Sequence, residues 1–141
     1  PNALGLVACR AAYEGGDAWL DELREHIAAA RAHVVDRLAS VPGVEAVPGE
    51  GTYLLWLDCT GLLAAAGLDP DRLDDVILEE VGLWLDDGAI FGAGGRGFTR
   101  MNVGCPRATL DEALNRLEAG AAALLARRAR QARRTGTAPA A

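Results

Sequence analysis

The clearest pattern lies in the last third of the chain. Leu110, Leu114, Leu117, Ala121 and Leu124 step by four, three, four and three residues, which gathers them on one face of a helix. Thr109, with Glu112 three residues on, reads as the capping box that opens it. A second long helix is predicted from Asp17, as its cap, to about Ser40. Leu20, Leu23, Ile27, Val34 and Leu38 lie close to one stripe there, and Asp21, Glu22, Glu25, Asp36 and Arg37 fall largely outside it. That helix ends before Val41-Pro42-Gly43. Ahead of it, residues 3–13 (ALGLVACRAAY) are apolar on nearly all sides, which predicts a short buried helix broken by Gly15-Gly16.

Between the long helices the period shortens. Strands are predicted over 44–47 and over 52–58 (TYLLWLD), with a turn at Pro48 to Gly51. The second strand is apolar almost throughout and so should be covered on both faces. Gly61 to Ala66 predicts a helical turn. Asp69-Pro70 is a cap followed by a first-turn proline, opening a helix with Leu73, Ile77 and Glu80-Val81 that Gly82 stops. A third strand is expected over 83–86 and a fourth over 98–103 (FTRMNV). The order is helix, helix, strand, strand, helix, strand, strand, helix. It predicts an α+β fold: a two-layer sandwich of helices on a small, largely antiparallel sheet, preceded by a helical interdomain arm. The expected divisions are 1–40 for the arm, 41–126 for the small domain and 127–141 for an arginine-rich, disordered tail.

Composition sharpens this picture in two places. All fourteen basic residues are arginine; the 141-residue sequence has no lysine, and so no side-chain amine that could form a Schiff base. The charge is also divided. Residues 1–126 carry nine arginines against twenty acidic residues, and five arginines follow in 127–134. An acidic body argues against nucleic acid as a partner. No stretch has the length or character of a membrane span or a secretory signal. Cys9, Cys59 and Cys105 are odd in number, far apart and lack metal-ligand spacing, which reads as a reduced, cytoplasmic protein with no metal site.

Few residues offer chemistry. Gly92 to Gly97 resembles a phosphate loop only in composition, because a strand rather than a helix follows it. Its glycines can instead lie close against a ligand or another domain. His26 and His33 are two helical turns apart, too far to share a metal, and read as a solvated face. Cys59 and Cys105 read as buried small hydrophobes. Pro1 could serve as a terminal amine, although it precedes a helix.

Arg100 is more informative. It stands mid-strand, where an inward arginine needs a partner. By alternation Phe98, Arg100 and Asn102 share one face, with Thr99, Met101 and Val103 on the other. Its planar fork suits a carboxylate, and a structural salt bridge fits the same residue.

Four stretches carry a resemblance: 2–13 (NALGLVACRAAY), 50–58 (EGTYLLWLD), 88–92 (GAIFG) and 97–107 (GFTRMNVGCPR). They resemble the C-terminal part of pyridoxal-phosphate enzymes of the aminotransferase fold, and most of all the MalY/PatB-type cystathionine β-lyases, across residues 2–126. The resemblance implies a homodimer using pyridoxal 5'-phosphate held by a lysine in a large domain. It implies elimination from cystathionine or other cysteine S-conjugates to a thiol, pyruvate and ammonia. Arg100 would clamp the substrate α-carboxylate, with Asn102 beside it and Asn2 near the domain junction. Gly92 to Gly97 would be the loop that lets the small domain close over substrate. Lacking lysine, this chain alone should be inactive, a fragment awaiting its N-terminal cofactor domain. A class I/II aminotransferase fragment, a stand-alone amino-acid-binding module and a decayed relic remain the alternatives.

Overall fold

A computed structural model describes residues 2–47 and 49–135. Pro1, Pro48 and the end of the expected tail, 136–141, lie outside the described residues. The elements are α1 (Ala3–Gly15), α2 (Asp17–Leu38), β1 (Glu45–Val47), β2 (Leu54–Asp58), α3 (Thr60–Ala66), α4 (Leu73–Asp75), β3 (Asp86–Asp87), β4 (Phe98–Asn102) and α5 (Arg107–Thr135). A 3₁₀ turn, Pro70–Arg72, leads into α4, and a π-helical turn, Val76–Val81, follows it. The four strands form one antiparallel sheet in the order β1-β2-β4-β3. This is the α+β architecture expected from the hydrophobic pattern.

Strand alternation sorts the sheet's two faces. Leu55, Leu57, Thr99, Met101 and Val103 point into the core and are at most 3% exposed. Leu110, Leu114, Leu117, Ala121 and Leu124 of α5 close that core from the helical layer, as their spacing predicted. The opposite face carries Trp56, Phe98 and Arg100, which are only half-buried. The apolar run of β2 is therefore covered on one face only within this chain.

The expected arm divides in two. Burial grows along the stripe of α2: Leu20 is exposed, Leu23 and Ile27 are half-buried, and Ala30, Val34 and Leu38 are in the core. The second half of α2 thus belongs to the sandwich, against the expectation of a separate arm. α1 has no buried residue, and Leu4, Leu6, Val7 and Tyr13 are all exposed, so the buried helix expected over 3–13 finds no cover in this chain.

Other boundaries differ for local reasons. Asp17 is the first helical residue of α2 rather than its cap, and Gly16 takes that place. Thr52 has φ 61° and its hydroxyl accepts from the Leu54 N–H, so β2 starts two residues late. Leu83 N–H donates to the Ile77 carbonyl, tying it to the preceding turn and shortening the third strand to Asp86–Asp87. The Pro106 carbonyl accepts from both Thr109 and Leu110 N–H, so α5 begins at Arg107 and Thr109 lies inside its first turn. The Asp69 cap is as expected, its carboxylate accepting from the Asp71 N–H, and Gly82 stops the next turn in the left-handed region.

The tail expected to be disordered from 127 remains helical to Thr135. Its arginines, alanines and glutamine are good helix formers, and basic side chains suit a helix C-terminus. Arg127 also pairs with Glu80 at 2.6 Å, which anchors the helix beyond the core.

His33 is not on a solvated face. Its Nε2 lies 2.6 Å from Asp111 Oδ1, and Arg107 Nη2 donates to its Nδ1 at 2.8 Å, so the ring proton sits on Nε2. Arg37 extends this α2–α5 seam to Glu118 at 2.7 Å and Asn115 at 2.9 Å. His26 Nε2 approaches the Cys105 carbonyl at 3.1 Å.

The seam makes stability depend on pH. The hydrogen bond from His33 holds the Asp111 carboxyl below its ordinary 3.8, with Arg107 assisting and desolvation opposing. The hydrogen bond from Arg37 likewise holds Glu118 below 4.5, again against desolvation. Carboxyls depressed in this way stabilise the fold above their ordinary values. That stabilisation is lost as pH falls from there through the lower folded values, because the unfolded chain binds protons that the folded chain excludes. The urea midpoint is expected to drop between pH 5 and pH 3, and to drop less steeply in the Asp111→Asn/Glu118→Gln double variant. Equal slopes in the two proteins would show that the seam does not carry the effect.

Candidate active site

The half-exposed face of the sheet carries a row of three side chains. Trp56 of β2 pairs across to Arg100 of β4, and Arg100 pairs across to Asp86 of β3. Residues in register on adjacent strands share a face and come within contact distance. Arg100 Nε and Nη2 both donate to Asp86 Oδ2, at 3.0 and 2.6 Å. The Arg100 guanidinium also lies over the Phe91 ring, 4.6 Å from its centre. Phe91 in turn stands edge-on to Trp56 at 5.4 Å, and Phe98 adds a second edge contact to Trp56 at 6.3 Å.

A shallow cleft of about 350 Å³ opens beside this row, lined by Trp84, Leu85, Asp86, Arg100 and Asn102. A larger depression of about 500 Å³ lies where α2 gives way to β1. Its only ionisable lining residue is Glu45, so the chemistry favours the smaller cleft.

The expected site residues do not all converge. Arg100 and Asn102 line the cleft together, as alternation predicted. The Asn102 side-chain oxygen is engaged locally, accepting from the Gly104 N–H at 2.8 Å. Asn2 caps α1, accepting from the Gly5 N–H at 2.7 Å, and does not line the cleft. Asp86 and Phe91 were not singled out in the sequence. In the sequence Asp86 is only the end of a predicted strand, and Phe91 falls within the 88–92 stretch with no role of its own. Their signal is their offset from Arg100 across a hairpin, which becomes visible only when the register is known.

The glycine-rich segment is fastened to its own chain. Gly88 and Gly95 cross so closely that a Cβ on either would overlap the other's carbonyl oxygen. Arg96 pairs with Asp71 through Nε at 2.7 Å and Nη2 at 2.8 Å, and the Gly97 carbonyl accepts from the Cys59 N–H. The freedom of these glycines thus serves a close crossing within the domain. Gly95→Ala must push two backbone segments apart, a change worth roughly 1–3 kcal/mol. It is expected to lower the thermal midpoint without altering β2 or α5, as amide exchange would show; an unchanged midpoint would count against the crossing.

The cysteines divide by place. Cys59 is buried, as expected, and burial pushes its thiol up to about 12. Cys105 is half-buried and Cys9 is exposed. Among the described residues no His, Cys, Asp and Glu group could hold a metal ion, and no helix is long and apolar enough to cross a membrane.

No protein-family model matches the chain. Cystathionine β-lyase PatB of Bacillus subtilis (strain 168) is 36% identical over 119 residues, covering 84% of this chain and 30% of PatB. Protein MalY of Escherichia coli (strain K12) is 34% identical over 113 residues, covering 79% of this chain and 28% of MalY. Among solved structures, cystalysin from Treponema denticola, which contains a pyridoxal 5'-phosphate cofactor, superposes with a TM-score of 0.79 at 31% identity. The superposition covers 87% of this chain and 30% of cystalysin.

The fold is therefore that of the C-terminal domain of pyridoxal-phosphate enzymes of the aminotransferase fold. Within that class the chain is homologous to the MalY/PatB-type cystathionine β-lyases, and it spans about 30% of the length of the curated relatives it matches.

Proposed function

We propose that this chain is the small-domain portion of a pyridoxal-phosphate-dependent C–S lyase, and that Arg100 binds the α-carboxylate of its amino-acid substrate. The observation that carries the reading is the state of the Arg100 guanidinium. One edge is engaged by Asp86, one face is covered by Phe91, and the Nη1–Nη2 edge has no partner among the described residues. A free planar fork at the rim of a cleft matches a carboxylate in two parallel hydrogen bonds. Holding that carboxylate fixes rotation about the substrate Cα, and positioning of this kind is worth large factors in rate.

No side chain of this chain can form the Schiff base that anchors pyridoxal phosphate. With no lysine in the sequence, the amine that would anchor pyridoxal phosphate lies outside it, and no step of the elimination is assigned to these residues. The exposed apolar face of α1 fits a segment covered by the remainder of such an enzyme, assembled as a homodimer acting on cystathionine or related cysteine S-conjugates.

The test begins with the intact mass of the protein in its native source, detected with an antibody against this segment. A species several hundred residues longer, releasing pyruvate and a thiol from cystathionine, is the expected result. Formation of a keto acid with transfer of the amino group would make the parent an aminotransferase. A native species of this length alone would overturn the lyase reading in favour of a carboxylate-binding module.

A further inference from the structure

The same row of side chains explains how Arg100 is held ready. We infer that Asp86 and Phe91 are positioning residues for Arg100: they grip its guanidinium by one edge and one face and leave the opposite edge free for a carboxylate. The inference rests on the reading of Arg100 as the substrate-carboxylate arginine.

The grip is built from the backbone outward. Asp86 stands directly across from Arg100 in the β3–β4 register, in a strand of two residues whose pairing is all with β4. The Thr99 hydroxyl donates to the Asp86 carbonyl at 3.1 Å, which fixes that strand from the neighbouring position. A single oxygen, Asp86 Oδ2, bridges the Nε–H and the nearer Nη2–H. This uses one side of the guanidinium fork and leaves the Nη1–Nη2 side open, because the two pairs of donors point about 120° apart in the plane.

Phe91 supplies the second restraint. The turn Gly88–Phe91 is capped by Asp87, whose carboxylate accepts from the Ala89 N–H at 3.0 Å. That turn delivers the ring over the guanidinium, and Trp56 holds the ring edge-on. Edge and face together define the guanidinium plane. An arginine is long and flexible, so one held in a single orientation before the ligand arrives loses less freedom on binding. Asp86 is itself about half exposed, so its pairing with Arg100 adds little to folding stability.

The experiment uses the complete enzyme carrying this segment, with KM and kcat measured for cystathionine and the thermal midpoint measured for every variant. Asp86→Ala is expected to raise KM about fivefold to tenfold, with kcat within about twofold. Asp86→Asn retains an acceptor oxygen for Nε and Nη2, and should stay within about twofold of the parent KM. Phe91→Leu removes the ring but leaves β3 intact, and should raise KM about threefold.

An unchanged KM in Asp86→Ala overturns the inference. So does a lowered KM, which would make Asp86 a competitor of the substrate rather than its support. Equal losses in Asp86→Ala and Asp86→Asn would also overturn it, since charge rather than orientation would then be at work. Should Asp86→Ala unfold, Phe91→Leu decides the question alone. An unchanged KM in Arg100→Ala would overturn the reading of Arg100 itself, and the positioning role with it.

Discussion

Replacing Arg100 by alanine in the complete enzyme is expected to raise KM for the amino-acid substrate by about a hundredfold, with the fold intact. The magnitude follows from the interaction removed. Truncating one partner of a close, charge-assisted pair costs about 2–5 kcal/mol, and about 3 kcal/mol corresponds to roughly two orders of magnitude. The loss should appear mainly in KM and kcat/KM, because the carboxylate is bound in the ground state as well as the transition state. A smaller fall in kcat is expected from looser rotation about the substrate Cα.

Stability should barely change. Asp86 is about half exposed, so losing its partner leaves a carboxylate that water can solvate. Arg100→Lys should not restore binding, since an ammonium has one point of charge and cannot reproduce the fork. Steady-state kinetics beside a thermal melt make the comparison. A KM that rises less than threefold in Arg100→Ala would remove the substrate-carboxylate role from this residue.

The largest stability effect is expected at Leu114. This side chain is wholly buried in the middle of the α5 stripe and belongs to the single core cluster that joins α2, the sheet, α3 and α5. Leu→Ala at such a site removes the transfer free energy of the lost carbons and leaves a cavity, together about 3–4 kcal/mol. For a domain of this size the midpoint should fall by roughly 10 °C. Leu4→Ala is the matched control. The same atoms are deleted, but Leu4 is 82% exposed on α1, so within this chain the change should stay below about 0.5 kcal/mol. Within the complete enzyme a larger loss at Leu4 would show that α1 is covered there. A Leu114→Ala midpoint within 3 °C of the parent would contradict the packing described.

What could be read from the linear chain was whatever depends on neighbours three, four or two residues away. The α5 stripe, the second half of the α2 stripe, the Asp69 cap, the Gly82 stop and the alternation of 98–103 are all such features, and all appear in the structure. The family resemblance was legible for a different reason. It rests on four separated stretches, of which 50–58, 88–92 and 97–107 meet around Trp56, Phe91 and Arg100 while 2–13 lies exposed on α1.

Where contacts arise between distant residues, local pattern misled or was silent. The His33–Asp111 bond joins positions 78 apart, so the histidine read as solvated. Arg127 meets Glu80 across 47 residues, so the start of a segment that local pattern predicts as a disordered tail is held as helix. The close crossing of Gly88 and Gly95 depends on two successive 3₁₀ turns, which composition alone showed only as a loose glycine-rich run.

The site shows the division most plainly. The chain by itself established that an arginine stands mid-strand with Asn102 on the same face, because strand alternation has a period of two. Which partners hold that arginine depended on the register of three strands and on the turn that carries Phe91. Register is a tertiary property, since a slip of one residue turns every side chain to the other face. Only the folded sheet therefore decided that Trp56, Arg100 and Asp86 form a single row with one edge of the guanidinium left open.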